Sequence, residues 1–190
     1  MHLALITHVF VDVYLRLQDK EFDMGNYSVS PILFESVSAC TATPSVELGS
    51  RTTDAKGNEY IYVYNYGVET YPGRCVYLKT ASSGYTVSVT NTAAQVGQFA
   101  GGIEHSTLLA ESYGWIMTKG LCSVGPDTNE ASFDAGEYIT VGVDDGYVGV
   151  DNATMSTGTR VGWTIDSGVT AAGATFSADL GKAWIKSDIW

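Results

Sequence analysis

The amino-acid sequence predicts an all-β fold: an antiparallel β-sandwich or barrel-like domain with an extended N-terminal arm. Strand-like runs recur roughly every ten residues and are separated by turn formers, as in sandwiches and barrels. No window of about 15 residues shows the sustained 3.6-residue period of an amphipathic helix, which leaves room for one short helix at most. The composition agrees, because 12 Tyr, 21 Gly and only 4 Pro in 190 residues suit pleated strands joined by tight turns.

The length allows one sizeable core, and the composition divides the chain into an arm at residues 1–45 and a β-rich domain at 46–190. Few charges occur in the segment 24–46, which also contains Pro31 and Pro44. Prolines remove backbone donors and favour extended or irregular backbone. This segment is therefore predicted to be an arm or a loop.

The first residues carry a strand pattern and not a targeting signal. The run HVFVDVYLRLQ alternates apolar and polar side chains, but the N-terminus lacks the basic region and the cleavage site of a signal peptide. It is also too short for a membrane span of about 20 apolar residues, so the chain is expected to be soluble and unexported. Met24 is an alternative start, which would make residues 1–23 an extension. The apolar face of the predicted strand consists of Val9, Val11, Val13, Leu15 and Leu17.

The first firm unit of the β-rich domain is a hairpin. The turn formers Asp54 to Asn58 separate two strand-like runs. In the second run, EYIYVYNY, four tyrosines point to one face while Ile61 and Val63 point to the other. Both faces are substantially apolar, which predicts a strand that is packed or paired on both sides.

Four more strands are expected after this hairpin. In the last of them, Trp115 and Met117 share one face, Ile116 lies on the other, and Gly114 and Gly120 indicate a close backbone approach or a bulge. The four predicted strands are RCVYLKT, YTVSVTN, FAGGIEH and SYGWIMTKGLCSV.

The last part of the chain predicts a hairpin and two further strands. The hairpin joins YITVGV to YVGV through the turn Asp144-Asp145-Gly146. The further strands are RVGWTI and ATFSADL, and the segment AWIKSDIW with Trp184 and Trp190 follows them.

The charge and the cysteines exclude several classes of protein. The net charge is −11, from 21 acids and 10 bases, with no basic run, which argues against direct binding of nucleic acid. Cys40, Cys75 and Cys122 are widely spaced, without the C-x-x-C of a zinc or redox site. Reduced, partly buried thiols are expected, with one disulfide plus a free thiol as the alternative.

No catalytic residue, metal site or cofactor is predicted. His105 stands beside Glu104 and Ser106, but neighbours on a strand point to opposite faces, which favours a hydrogen-bonded surface histidine over a general base. Cys122 without a basic surround is expected to be a small packing residue. The acids Asp144, Asp145 and Asp151 lack the ligand spacing of a calcium loop, so a structural turn is preferred.

The tyrosine row admits two interpretations. Flat aromatic rings can form a platform for a glycan, but aromatic residues are also enriched in cores and in oligomer interfaces. The second interpretation is preferred, and it assigns Tyr60, Tyr62, Tyr64 and Trp115 as core or oligomer aromatics.

Three segments occur in an order that resembles a known family. ELGSRTTDAKGNEYIYVYN comes first, then SYGWIMTKGLCSV, and then ITVGVDDGYVGV. This order resembles the capsid decoration, or cement, proteins of tailed bacteriophages, over about residues 46–165.

The resemblance implies a non-enzymatic virion protein without cofactors. Such a protein would decorate and stabilise the capsid by bridging major capsid proteins, as a homotrimer on the outer surface, after assembly in the host cytoplasm. It would bind neither nucleic acid nor membrane. By its position, the strand with Val9 to Leu17 would add to a sheet edge of the shell. The alternatives are a receptor- or glycan-binding β module of a head or tail fibre and a hydrolase with distant paired carboxylates.

Overall fold

A computed structural model describes the β-rich part of the chain, all of it within one compact unit, Glu35–Trp190. The predicted strand with Val9 to Leu17 and the predicted strand ATFSADL, apart from its last residue Leu180, lie outside the described residues. No described segment forms a helix that is long and apolar enough to span a membrane. The described residues are 36–79, 84–90, 99–127, 133–142, 144–150, 160–166 and 180–187.

The fold is all-β, as predicted, and the described residues contain eleven strands and no helix. The strands are β1 (Cys40–Thr41), β2 (Arg51–Thr53), β3 (Glu59–Asn65), β4 (Cys75–Leu78), β5 (Thr86–Ser88), β6 (Phe99–Gly102), β7 (Ser112–Val124), β8 (Tyr138–Val141), β9 (Val148–Val150), β10 (Arg160–Thr164) and β11 (Gly181–Lys186).

Five of these strands close into a barrel in the order β3, β5, β4, β6 and β7, and β7 pairs back onto β3. Four of the five pairings are antiparallel. The fifth, β3 with β5, is parallel and joins Tyr64 to Thr86 and Asn65 to Val87. The barrel form of the predicted architecture is therefore the correct one, with one parallel pairing that the sequence did not indicate.

Strand β7 is the central strand of the molecule, because it pairs with β1, β3, β6 and β11. Its first part, from Ser112 to Lys119, runs antiparallel to β3. Its last part, from Lys119 to Val124, runs antiparallel to β11. Beyond β7 the sheet continues through β11, β10, β8 and β9, so one strand belongs both to the barrel and to the sheet extension.

The barrel core follows from strand alternation, which sends every second side chain inward. Ile61 and Val63 of β3 and Ile116 of β7 point inward, on the faces opposite the tyrosines and Trp115, as predicted. The core cluster consists of Ile61, Val63, Val76, Leu78, Val87, Ala100, Ile103, Leu108 and Ile116.

The predicted turn between β2 and β3 is confirmed, and the Asp54 carboxylate organises it. Asp54 Oδ1 accepts hydrogen bonds from the backbone N–H groups of Lys56 (2.8 Å) and Asn58 (2.9 Å). Gly57 has a φ of 83°, a conformation that glycine adopts without steric cost. Turn chemistry in the sequence therefore fixes the β2–β3 hairpin.

Gly120 marks the predicted irregularity in β7. Its φ is 137°, and a Cβ atom at this position would overlap the side-chain amide of Asn58. That amide Oδ1 accepts a hydrogen bond from the backbone N–H of Leu121 (3.2 Å). The turn and the irregular part of β7 are thus joined through one asparagine.

The predicted boundary between arm and domain, at residues 45 and 46, stays a prediction. The last residues of the predicted arm are described, and they contact the barrel. Cys40 and Thr41 of β1 pair with Gly114 and Tyr113 of β7, so backbone ladder contacts begin ahead of that boundary.

Candidate functional site

The tyrosines of β3 are divided by burial. Tyr62 is fully buried and Tyr60 is 2% exposed, Tyr64 is half-buried, and Tyr66, beyond the end of the strand, is 46% exposed. Only part of the predicted row therefore faces solvent.

Neighbouring rings and the segment after β1 cover the buried tyrosines. Tyr62 lies opposite Trp115 in the register of β3 and β7, with ring centroids 5.0 Å apart. Its hydroxyl contacts Thr41 Oγ1 (3.2 Å) and Ser45 Oγ (2.9 Å). Tyr64 packs on Tyr113 with a centroid distance of 4.9 Å. These rings form a packed layer on the outer wall of the barrel, and a glycan would find no open platform at Tyr60 and Tyr62.

Asp54, Tyr60 and His105 form a hydrogen-bonded chain beside the β2–β3 turn. The Tyr60 hydroxyl donates to Asp54 Oδ2 (3.2 Å) and lies 2.8 Å from His105 Nε2. Because a tyrosine hydroxyl has one hydrogen, His105 Nε2 is then the donor to the tyrosine oxygen. His105 therefore makes the hydrogen bond that its sequence context favours, to a side chain 45 residues away.

The same cluster shifts two acid–base equilibria. Burial and the neighbouring Asp54 carboxylate raise the pKa of Tyr60. Burial alone would raise the pKa of Asp54, but hydrogen bonds from Asn58 and Lys56 outweigh it, so the pKa is lowered. At neutral pH the Asp54 carboxylate is therefore ionised and the Tyr60 phenol is protonated, which is the ordinary state of each group. That pattern fits a structural cluster better than a proton-transfer site.

Lys119 and Cys122, both in β7, make structural contacts. Lys119 Nζ lies 2.7 Å from Glu59 Oε1, and both side chains are about two-fifths exposed. Cys122 is fully buried, and burial raises the pKa of its thiol well above the ordinary value. A thiol held in its neutral form is a poor nucleophile. All three cysteines, which include Cys40 and Cys75, are free thiols.

The turn at Asp144 to Gly146 joins β8 to β9, as predicted. Gly146 has a φ of 79°, and its carbonyl accepts a hydrogen bond from the backbone N–H of Cys75 (2.8 Å). Within the described ranges, no group of three or more His, Cys, Asp or Glu residues could hold a metal ion. Asp151 lies outside those ranges.

The clearest exposed surface lies on the sheet extension, and we call it the outer row. The row crosses four neighbouring strands in direct register: Tyr138 of β8 faces Trp163 of β10, Trp163 faces Trp184 of β11, and Trp184 faces Leu121 of β7. Tyr138 is 52% exposed, Trp163 and Leu121 are each 40% exposed, and Trp184 is half-buried. The two tryptophan rings lie 6.0 Å apart between centroids, with planes 20° apart.

Cationic side chains lie beside the outer row. The Arg160 guanidinium lies 4.4 Å from the centroid of the Tyr138 ring. A shallow hollow is lined by Tyr138, Arg160, Val161, Gly162, Trp163 and Lys186. An adjoining hollow shares Lys186 and is also lined by Arg51, Glu59, Thr118, Lys119 and Ser187.

Sequence reasoning did not select the outer row, although part of its signal was present. Alternation within RVGWTI assigns Trp163 to one face of that segment, and alternation within AWIKSDIW does the same for Trp184. The missing information was the register that brings side by side strands whose paired residues are about 20 to 60 positions apart along the chain. A row of exposed rings exists only once that register is known.

Comparison with known proteins assigns this chain to no family. No protein-family model matches the chain, and no curated protein sequence matches it significantly. One similar solved structure is the head fiber gp8.5 N base of bacteriophage phi29, with a TM-score of 0.45 and 11% sequence identity, covering 67% of this chain and 93% of that chain. A similarity at this level carries no argument about what this chain does. The fold and surface define an all-β protein built on a five-stranded barrel.

Proposed function

We propose that this chain is a non-enzymatic structural protein of the head of a tailed bacteriophage, which decorates and stabilises the capsid. One observation carries the proposal. The first two segments that resemble decoration proteins are paired with each other along β3 and β7, from Glu59 opposite Lys119 to Asn65 opposite Ser112. The residues behind the resemblance therefore belong to one structural unit.

That unit suits a protein that bears load. Strands β3 and β7 are each enclosed by neighbours on both sides, because the barrel is closed, and a closed barrel has no free edge for unwanted pairing. Tyr62 and Trp115 pack across this pair on the outside, and Ile61 and Ile116 fill the inside. Side chains on both faces thus stabilise the same strand pair.

The residues that could take part in catalysis also make structural contacts. Lys119 pairs with Glu59, His105 contacts Tyr60, and Cys122 is buried as a neutral thiol. Each of these groups has a packing or hydrogen-bonding role. This supports a structural protein over the hydrolase alternative.

The finer parts of the proposal concern partners. The protein acts as a homotrimer on the outer surface of the virion, joins major capsid proteins, and is assembled in the host cytoplasm. Attachment uses the apolar face of the N-terminal segment, which adds a strand to the shell. A trimer gains affinity because the binding of one arm raises the effective concentration of the other two at their sites.

The test measures the oligomeric state and the binding to capsids. Light scattering gives the mass of the purified chain, and co-sedimentation with expanded empty capsids of the phage that carries the gene measures binding. We expect a trimer that saturates a defined number of sites and raises the temperature at which the capsids open. A persistent monomer without capsid affinity would overturn the proposal.

Two matched variants test the attachment segment. Val11→Asp places a negative charge on the predicted apolar face, and Gln18→Asp places the same charge on the predicted polar face. We expect the first variant to lose capsid binding and the second to keep it, with both chains folded by circular dichroism. Equal binding by both variants would exclude this face as the point of attachment.

A further inference from the structure

We propose that the outer row and its two hollows bind an anionic saccharide, a sugar chain that carries carboxylate or phosphate groups. This is a binding activity beyond the structural role. The outer row lies on the sheet extension, and the second hollow reaches β2 and β3 through Arg51 and Glu59; the site is therefore not the row of β3 tyrosines that the sequence suggested for a glycan.

The outer row has the elongated shape of a surface that could bind a short chain. Tyr138, Trp163, Trp184 and Leu121 occupy one register position on four adjacent strands. Three steps between neighbouring strands give a length of about 14 Å, comparable with a short oligosaccharide. Exposed apolar surface of this kind on a soluble domain marks a binding site more often than single scattered residues do.

The hollow beside Trp163 provides space above the sheet. Gly162 lies at the hollow beside Trp163, and a Cβ atom there would overlap the carbonyl oxygen of Trp184. The close approach of β10 to β11 therefore requires glycine, and this position adds no side chain to the hollow. Tyr138 and Arg160 stand at the hollow, with the guanidinium over the phenol ring. Aromatic surface beside a few fixed polar groups is the composition of small-ligand sites.

The charge at the two hollows differs from that of the whole chain. The chain as a whole has 21 acids and 10 bases. Among the described residues that line the two adjoining hollows the balance is reversed, because Arg51, Lys119, Arg160 and Lys186 are basic and Glu59 is the one acid. Lys119 is already paired with that acid. Basic residues concentrated at one place on an acidic protein attract an anionic ligand to that place, whereas the acidic surface elsewhere repels it.

The size of the surface favours a saccharide over a protein partner. Six of the described residues line each hollow, whereas a stable protein interface takes about 20 or more residues from each side. Sugar rings present C–H faces that pack on aromatic rings, and their acidic groups match the flanking cations. The aromatic rings would pack against the apolar faces of the ligand, and the basic side chains would pair with its acidic groups.

The test is a binding titration of the full chain with defined probes. The probes are oligogalacturonate as the carboxylated sugar, a phosphorylated maltooligosaccharide as the phosphate-bearing sugar, and plain maltooligosaccharide as the neutral control. We expect one or both anionic probes to bind, more weakly as salt rises, and the neutral probe to bind at least tenfold more weakly. The anionic probe that binds more tightly identifies the acidic group.

Matched variants locate the site. Trp163→Ala is compared with Tyr71→Ala, which removes a ring of similar exposure from elsewhere on the surface. Arg160→Gln is compared with Lys56→Gln, which removes a charge from the exposed β2–β3 turn. We expect the first member of each pair to weaken binding by about tenfold or more, equivalent to roughly 1.4 kcal/mol, and the second to leave it unchanged.

Three results would overturn the proposal. One is no binding of either anionic probe at millimolar concentration. Another is tighter binding of a DNA oligonucleotide of equal charge than of both sugars. The third is a wild-type oligomer that Trp163→Ala converts to monomer, since the outer row would then be an interface between copies. Capsid binding by the wild type tests the structural role separately, and Trp163→Ala should retain it.

Discussion

Replacement of Trp115 tests whether the aromatic layer outside the barrel stabilises the fold. Trp115 is 6% exposed and packs on Tyr62 with a centroid distance of 5.0 Å. Its indole Nε1 is buried and makes no hydrogen bond to any described residue. The side chain thus combines a large packing contribution with an unpaired polar group.

These two properties predict different results for two substitutions. Trp115→Ala removes a buried ring and should lower the free energy of unfolding by about 3–5 kcal/mol. Trp115→Phe keeps most of the apolar contact with Tyr62 and removes an N–H whose burial without a partner costs about 1–3 kcal/mol. That relief offsets the lost volume, so the phenylalanine variant should lie within about 1 kcal/mol of the wild type.

The assay is urea unfolding followed by far-ultraviolet circular dichroism, because tryptophan fluorescence changes with the substitution itself. Trp163→Ala is the control, since that ring is 40% exposed, and it should change stability by no more than about 1 kcal/mol. A cost below about 1 kcal/mol for Trp115→Ala would refute the burial of the ring. A Trp115→Phe variant as unstable as Trp115→Ala would refute the unpaired N–H.

Three further predictions concern the β2–β3 hairpin and β7. Burial raises the pKa of Asp54, but hydrogen bonds outweigh burial and lower it. The carboxylate therefore stabilises the fold fully at pH values above the unfolded-state pKa of about 3.9. This stabilisation is lost as the pH falls through the folded-state pKa. The stability difference between wild type and Asp54→Asn, measured by urea unfolding from about pH 6 down to about pH 3, should therefore shrink on acidification; a constant difference would contradict this. Gly120→Ala should cost about 1–3 kcal/mol from its φ of 137° and its steric overlap, and more than Gly57→Ala, where φ is also positive but the space is open; equal costs would show that the overlap is relieved. Glu59→Gln breaks an ion pair with Lys119 whose side chains are about two-fifths exposed, so it should cost at most about 1 kcal/mol and less in high salt; a larger, salt-independent loss would count against this.

Local patterns in the sequence predicted the strands well. The run Ser112–Val124 is one strand, the turn formers Asp54 to Asn58 make the hairpin turn, and Ile61 and Val63 point away from the tyrosines. Each of these features depends on neighbours along the chain, through alternation or turn chemistry. That is the information a single sequence carries most directly.

Features that depend on distant pairing were not predicted. The parallel pairing of β3 with β5 closes the barrel. No local pattern in the sequence distinguishes a closed barrel from an open sheet. Alternation made Tyr60 and Tyr66 equivalent, but β3 ends at Asn65, and Tyr66 stays exposed beyond it. The outer row depends on the register of four strands, which is set by the whole sheet.

The order of strands along the chain has a consequence for synthesis. The five barrel strands occupy one stretch, from Glu59 to Val124, whereas β11 lies at Gly181–Lys186. A chain emerging from the ribosome can therefore close its barrel before β11 exists. Until β11 has been synthesised, the last part of β7 exposes the backbone N–H and C=O groups that later pair with it. These groups can pair with a second unfinished chain instead. The time taken to translate the residues after β7 is thus the period in which nascent copies are most prone to misassembly.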